Sequence, residues 1–548
     1  MSLELRSPRS LSRRLSLLLP LAAAIFAAFA SGATASRGQM AMFQDDQALR
    51  GDPQGTLQQI RSLGAREIRL FINWQAVAPN ANSRRRPRSF DAANPAAYPA
   101  GNWQIYDTII RLAQQNGIGV DLDVSGGAPM WATGPHPPRG NKQFHQWEPS
   151  ASQFALFVRA VGTRYSGGYK PAGAGGALPR VSIWSIWNEP DYGPSLAPQG
   201  VYPNHLTVEN SPRLYRNLVD AAWGGLHRSG HGGDTFLFGE VAPRGESNWG
   251  VFSGMRPLVF LRALYCLNSS YRQLRGSAAS LRGCPTSAAG SRRFRSQHPA
   301  LFSASGFSDH PYMRWYRPNR EQNPDPVNHL STSQYSSLGV MGNLERALDR
   351  SQRSYGSHRR LPIYDTEFGY ITNPPQHGSK YPYVSPATAA YYMNWAEYIH
   401  WRNPRLLTYH QYLLRDPLPP TKAGNYGGFA SGLETYGGQP KPGYDAYRLP
   451  LYMPKTRASR GHSLEVWGCV RPAHFASLDT GGAPQAVRIQ FAPTGSNAFT
   501  TIADVPITDP SGYFDTRVVF PRSGTVILSW SYPSGQAVSS RSQPITVH

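Results

Sequence analysis

The chain is 548 residues long, with 40% hydrophobic and 12% aromatic residues, so it is neither disordered nor collagen-like, and its length allows two or three domains. Only 16% of residues are charged, and 53 glycines and 48 prolines imply a loop-rich globular protein; three cysteines exclude a disulfide-built scaffold and a cysteine-ligated zinc ribbon. The net charge of +22 comes almost entirely from arginines scattered along the chain; no nucleic-acid-binding motif accompanies it, so no nucleic-acid partner is expected, while attraction to an anionic polymer stays open.

The first 35 residues are expected to be an export signal. Arg6, Arg9, Arg13 and Arg14 form a basic start, an apolar stretch runs from Leu17 to Ala30, and Ala33-Thr34-Ala35 offers a cleavage site. No long apolar run follows, so the mature chain is expected to be secreted and to lack an integral membrane segment. An exported chain can oxidise its cysteines. Cys266 and Cys284 share one Ser/Arg-rich insertion and are expected to pair, with Cys469 a buried thiol.

From residue 36 to about 450, short apolar strands alternate with amphipathic helices. Eight strands are expected, at Met40–Gln44, Ile68–Asn73, Gly119–Val124, Val181–Trp187, Thr235–Val241, Ala304–Asp309, Leu361–Thr366 and Leu406–Gln411. Ile105, Ile109 and Leu112 share one helical face, as do Phe154, Phe157, Val158 and Val161; Ser385-Pro386 caps a helix running through Trp401. This α/β rhythm fits a (β/α)8 TIM barrel with long loop insertions, whereas a doubly wound sheet lacks its glycine-rich fingerprint here. Residues 455–548 hold short alternating runs separated by turns, as in a small immunoglobulin-like β-sandwich, with Trp467 and Trp530 in its core.

The sharpest motif is Trp187-Asn188-Glu189-Pro190 at the end of the fourth strand, the catalytic rim of such a barrel. A carboxyl half-buried among aromatic rings has its charged form disfavoured, so the pKa of Glu189 is expected to rise, as suits a general acid. A second carboxylate follows in Thr366-Glu367-Phe368-Gly369, at the exit of the seventh strand. The fourth and seventh exits face each other across an eight-stranded mouth, which makes Glu367 a nucleophile and Glu189 the acid/base; Glu240 and Asp309 are the replacements.

This constellation resembles the clan A, or 4/7, glycoside hydrolases, and is similar to families 5 and 39. The resemblance implies a secreted retaining O-glycosidase acting on a glycan or glycoside, as a monomer and with no cofactor or metal. It assigns Arg69, in Ile68-Arg69-Leu70-Phe71, to orienting the nucleophile, and Asn188 to the sugar 2-hydroxyl. His310 and Tyr312, in Ser308-Asp309-His310-Pro311-Tyr312, resemble the sixth-strand H-x-Y whose tyrosine touches the nucleophile. Pro129-x-Trp131 looks like family 39, and Trp131, with Trp74 and Trp315, is a candidate sugar platform; Asp123 is a substrate ligand or a loop brace. The chain departs from the clan at the third strand, which lacks the histidine usual in family 5, and at the eighth, where Tyr409 or Tyr412 stands in for a tryptophan. A non-catalytic carbohydrate binder and a transglycosylase on the same barrel are the alternatives.

Overall fold

The computed structural model describes residues 38–548, apart from 138–143, 203–206, 247–249, 322–331, 376–381 and 419–427. The expected export signal, residues 1–35, lies outside the described residues. Among those described, no helix is long and apolar enough to cross a membrane.

Eight parallel strands form one sheet: β1 (Met40–Gln44), β2 (Glu67–Asn73), β3 (Gly119–Ser125), β4 (Ile183–Ile186), β5 (Thr235–Val241), β6 (Gly306–Asp309), β7 (Ile363–Asp365) and β8 (Thr408–Tyr412). Their spatial order is β8-β1-β2-β3-β4-β5-β6-β7. The circle closes where the Ile363 N–H donates to the Arg405 carbonyl (2.7 Å) and the Leu407 N–H to the Ile363 carbonyl (2.9 Å). A helix follows each strand in turn: α1 (Pro53–Leu63), α2 (Ala100–Gln115), α3 (Ala151–Arg164), α4 (Ser211–Arg228), α5 (Pro257–Leu264), α6 (Met341–Arg353), α7 (Pro386–Arg402) and α8 (Pro442–Arg448). The fold is therefore a (β/α)8 barrel, and local chemistry explains its helices. Phe154, Phe157, Val158 and Val161 are fully buried on one face of α3, while Ser385 caps α7 by accepting from the Thr388 N–H, with Pro386 in the first turn.

Alternation along the strands sends two different sets of residues to the two faces. Ile68, Leu70 and Ile72 of β2 pack outward under the helices, and so do Val120, Leu122 and Val124 of β3. The opposite parity puts Glu67, Arg69, Asp121 and Asp123 inside the barrel, where branched apolar residues commonly sit. The interior is thus a stack of buried charges leading up to the mouth.

The insertion between β5 and β6 carries the Cys266–Cys284 disulfide, and Cys469 is a buried free thiol. Arg216 of α4 holds this insertion by donating to the carbonyls of Leu264 (3.0 Å) and Gly283 (2.9 Å).

Beyond the barrel, β9 (Leu451–Tyr452), β10 (Ser463–Cys469) and β13 (Tyr513–Val519) form one sheet. A second contains β11 (Gln485–Pro493), β12 (Thr500–Ile507), β14 (Gly524–Ser531) and β15 (Gln543–Val547), with Arg457–Ala458 at one edge. Leu464, Val466, Ile489, Phe514, Leu528 and Trp530 fill the space between them. Strand β12 and the helix Ala473–Asp479 are not evident in the sequence. No position of β12 is fully buried, and its apolar residues Ile502, Val505 and Ile507 are unevenly spaced, so its alternation is short and weak.

Trp467 corrects the expectation that it belongs to the sandwich core. It packs outward against α7, with ring centroids 5.5 Å from Tyr398 and 6.0 Å from Trp401. It belongs to the seam between sandwich and barrel because its strand has one face on each.

Candidate active site

Three non-glycine residues at the exits of β4 and β5 hold left-handed backbone: Trp187 (φ 64°), Glu189 (φ 44°) and Glu240 (φ 49°). Such conformations cost of order 1–3 kcal/mol each and persist only where the surroundings impose them. The Trp187 ring is buried against Phe154 and donates its indole N–H to the Ser195 carbonyl (3.1 Å). The Asn188 N–H donates to Ser125 Oγ (2.7 Å), and the Glu189 N–H to the Glu240 carbonyl (2.9 Å). The β4 exit loop is thereby tied to the ends of β3 and β5. On β5 the pairing register with β6 shifts between Phe238 and Val241, a bulge that turns Glu240 into the barrel. Gly239 makes the bulge possible: its φ is 127°, and a Cβ there would meet the Ser308 carbonyl oxygen at 2.4 Å.

Arg69 is the hub of the site. It is fully buried, and its Nη1 donates to Gln44 Oε1 and Glu367 Oε1, both at 2.8 Å. Its Nη2 donates to Asp123 Oδ2 (2.6 Å), Glu240 Oε2 (2.7 Å) and Asn188 Oδ1 (3.0 Å). One guanidinium therefore joins the ends of β1, β2, β3, β4, β5 and β7. Tyr312 donates its hydroxyl to the other oxygen of Glu367, at 3.1 Å, so both oxygens of that carboxylate are held.

His310 sits between the carboxylates. Its Nδ1 is 3.2 Å from Glu189 Oε1 and 3.7 Å from Glu367 Oε2, and its Nε2 is 3.1 Å from Glu240 Oε2. Glu189, His310 and Glu367 each present one atom within 4.8 Å of the others. Burial alone would deprotonate the imidazole, but the charge of Glu367 and the bonds to Glu189 and Glu240 outweigh it, and its pKa stands well above 6.5.

This corrects the expectation for Glu189. Burial does push its carboxyl up, but the His310 hydrogen bond and the charges of His310, Arg244 and Arg69 together hold it below the ordinary range. The surroundings favour the protonated form of the imidazole and the ionised form of the glutamate it touches. Glu240 is held low as well, chiefly by Arg69 against its burial. Asp123 is pushed up by burial, despite Arg69.

Arg69, Asn188, His310 and Tyr312 thus converge with Glu189 and Glu367 at one end of the barrel. The remaining candidates lie elsewhere. The Trp131 indole donates to the Pro79 carbonyl (3.0 Å) and packs edge-on against Trp74 and Phe90, in the loop layer beside the mouth. Trp74 is not a platform: it is fully buried, stacked on Phe157. Trp315 lies near Tyr316 and Tyr383. Asp123 is an internal ion-pair partner, and Asp309 faces the helix layer, where Ser336 donates to it (2.7 Å). Strand parity separates the two eighth-strand tyrosines. Tyr409 points outward and donates to the Met393 carbonyl, whereas Tyr412 reaches the mouth near Tyr312 and Phe429.

Sequence reasoning missed Gln44, Ser125, Thr366 and Arg244. The first three are polar residues at strand ends, recognisable once the barrel is assumed; Arg244 carries no local signal. Glu240 was named only as a substitute, yet it binds Arg69, His310 and the Thr366 hydroxyl (2.9 Å).

A hollow of about 300 Å³ opens beside Asn188, lined also by Asp46, Arg50, Phe71, Gln146 and Trp187. A larger one, about 510 Å³, lies off the axis between Asp45, Gln59, Arg415 and Tyr436, and neither Glu189 nor Glu367 lines it. Neither glutamate lines the smaller hollow, but Trp187 and Asn188, the two residues before Glu189, do.

No family model and no curated protein matches the chain. Solved structures with a similar course include a family 39 glycoside hydrolase from Bacteroides cellulosilyticus (14% identity over 88% of this chain and 80% of that one, TM-score 0.42). Others are a family 51 α-L-arabinofuranosidase from Bifidobacterium longum (12%, 94% and 95%, TM-score 0.41) and a family 5 glycoside hydrolase from Bacteroides vulgatus (12%, 91% and 88%, TM-score 0.39). At these TM-scores the likenesses carry no argument about chemistry, which rests on the site itself.

Proposed function

We propose that this protein is an exported retaining glycoside hydrolase, with Glu367 as nucleophile and Glu189 as acid/base. The observation that carries the reading is the meeting of Glu189 and Glu367, from the exits of β4 and β7, with oxygens within 4.8 Å of each other. Carboxyl groups about 5–5.5 Å apart suit double displacement, whereas inversion needs room for a water between them, at about 6.5–9.5 Å.

The surroundings divide the two roles. Arg69 and Tyr312 hold both oxygens of Glu367, keeping one ionised carboxylate aimed at the anomeric carbon. Attack forms the Glu367–C1 bond as the C1–O bond breaks, and the leaving oxygen takes its proton from Glu189. In the free protein the surroundings favour the protonated imidazole of His310, whose Nδ1 lies 3.2 Å from Glu189 Oε1, so Glu189 and His310 act as a proton-sharing pair. Ionised Glu189 then deprotonates the water that hydrolyses the glycosyl ester. Asn188 Oδ1 is taken by Arg69, which fixes the amide so that its Nδ2 donors serve a sugar hydroxyl beside the nucleophile.

The test is a screen of aryl glycosides and polysaccharides with the wild type, Glu189→Ala and Glu367→Gly. Azide is expected to rescue both variants, Glu189→Ala giving the glycosyl azide of retained and Glu367→Gly that of inverted configuration. Full activity of Glu367→Gly without azide would move the nucleophile elsewhere.

A further inference from the structure

Arg244, four residues beyond Glu240, is half-buried, and its guanidinium carbon lies 4.1 Å over the ring of Tyr192. Tyr192 belongs to the acid/base loop, and its N–H donates to the Glu189 carbonyl (3.0 Å). Among the described residues, Arg244 makes no hydrogen bond and has no carboxylate within 4 Å. The fully buried arginines differ: Arg69, Arg216 and Arg471 donate from their Nη groups to carboxylates or backbone carbonyls. A guanidinium carries five donors in a planar fork, and none of the Arg244 nitrogens is among the buried unpartnered atoms, so the fork opens to solvent, where a ligand can reach it. Stacking on Tyr192 fixes the plane of the fork and leaves its N–H edge free, the arrangement suited to bidentate capture of a planar anion.

Its position selects the side of the scissile bond. Asn188, which serves the sugar attacked by Glu367, borders the hollow between the β1–β4 exits. Arg244 stacks on Tyr192, three residues after Glu189, and its charge acts on the Glu189 carboxyl, which puts it on the acid/base side of the site, the side of the departing oxygen. We propose that Arg244 is a specificity residue for the leaving-group site, recognising a carboxylate on the departing residue, as in a uronic-acid-containing glycan. The +22 net charge supports the same substrate class, because it draws polyanions toward the protein. The proposal rests on the glycosidase reading and adds the substrate's charge to it.

The test uses two aryl glycosides of whichever sugar the wild type hydrolyses, one with a 4-nitrophenyl and one with a 3-carboxy-4-nitrophenyl aglycone. Comparing variant with wild type on each cancels the difference in leaving ability. Arg244→Gln is expected to lose at least tenfold more of kcat/KM on the carboxylated glycoside than on the neutral one, mainly through KM, and Arg244→Lys to recover part of it. Should Arg244→Gln fail to fold, Tyr192→Leu removes the face that orients the fork and is expected to give the same differential loss. Equal losses on both glycosides, or an equal shift of both pH profiles, would overturn the proposal and make Arg244 a tuner of Glu189. A folded wild type that cleaves neither glycoside nor any polysaccharide would instead sink the glycosidase reading itself.

Discussion

Glu367 and His310 show how a few hydrogen bonds divide labour among chemically similar groups. Tyr312 donates a single bond to Glu367, and a hydrogen bond to an ionised group contributes about 1.5–3 kcal/mol. Tyr312→Phe is therefore expected to lower kcat/KM about 10- to 150-fold while leaving the melting temperature nearly unchanged. If activity fell less than twofold, Arg69 alone would suffice to hold the nucleophile. His310 makes a different prediction, about pH. On the proposed mechanism the last catalytic proton leaves the Glu189–His310 pair, and the alkaline limb of the rate profile should then lie above 6.5, the imidazole's ordinary value. With glutamine at position 310 the proton must come from Glu189 alone, and the alkaline limb should move to lower pH. An unmoved limb in His310→Gln would show that the imidazole does not carry the proton.

At the scale of single elements, β2 and β3 bring an acidic pair to the closed end of the barrel. Glu67 is pushed up to about 7 by burial and by the charge of Asp121, and Asp121 to about 7 by burial and by the charge of Glu240. Both are raised above their unfolded values. The folded state therefore binds more protons, and the stability they confer is fully present below about pH 4 and lost as pH rises through about 7. Glu67→Gln removes one of these charges and should gain about 1–3 kcal/mol on the wild type at pH 8, with a smaller difference at pH 5. Urea melts at the two pH values read this directly, and an equal difference at both would mean that Glu67 is solvated in place. The Gly239 bulge makes the same point about elements. One glycine at the end of β5 decides whether Glu240 faces Arg69 or the helices.

For the whole molecule, the sandwich and the barrel are joined through α7. Arg471 donates from one Nη2 to both oxygens of Glu397 at 2.7 Å, and the Tyr513 hydroxyl donates to the same carboxylate (2.8 Å). Trp395 stacks on Tyr452 beside them. One turn along α7, His400 Nε2 lies 3.1 Å from Asp365 Oδ2, two residues before Glu367. The sandwich therefore braces the helix that backs β7, the strand leading to Glu367. Arg471→Ala leaves Glu397 buried without its cation and is expected to cost about 3–5 kcal/mol in urea unfolding, with the loss shared by barrel and sandwich. A change below about 1 kcal/mol would mean that the aromatic seam alone holds the two parts together.

Local order was legible because it is written locally. Apolar alternation marked all eight barrel strands to within about two residues, and a serine–proline cap marked α7. The strand count in turn put Glu189 and Glu367 at opposing exits before any contact was known. What the sequence could not contain was the electrostatic state of the site, since a proton's location depends on every charge within a few ångströms. Arg69, His310 and Glu240 lie far apart along the chain and meet only when the barrel closes, so it is closure that favours a protonated His310 beside an ionised Glu189. For the same reason Trp467 was assigned to the wrong core and Arg244 carried no signal: their neighbours come from distant strands, which periodicity along one segment cannot reveal.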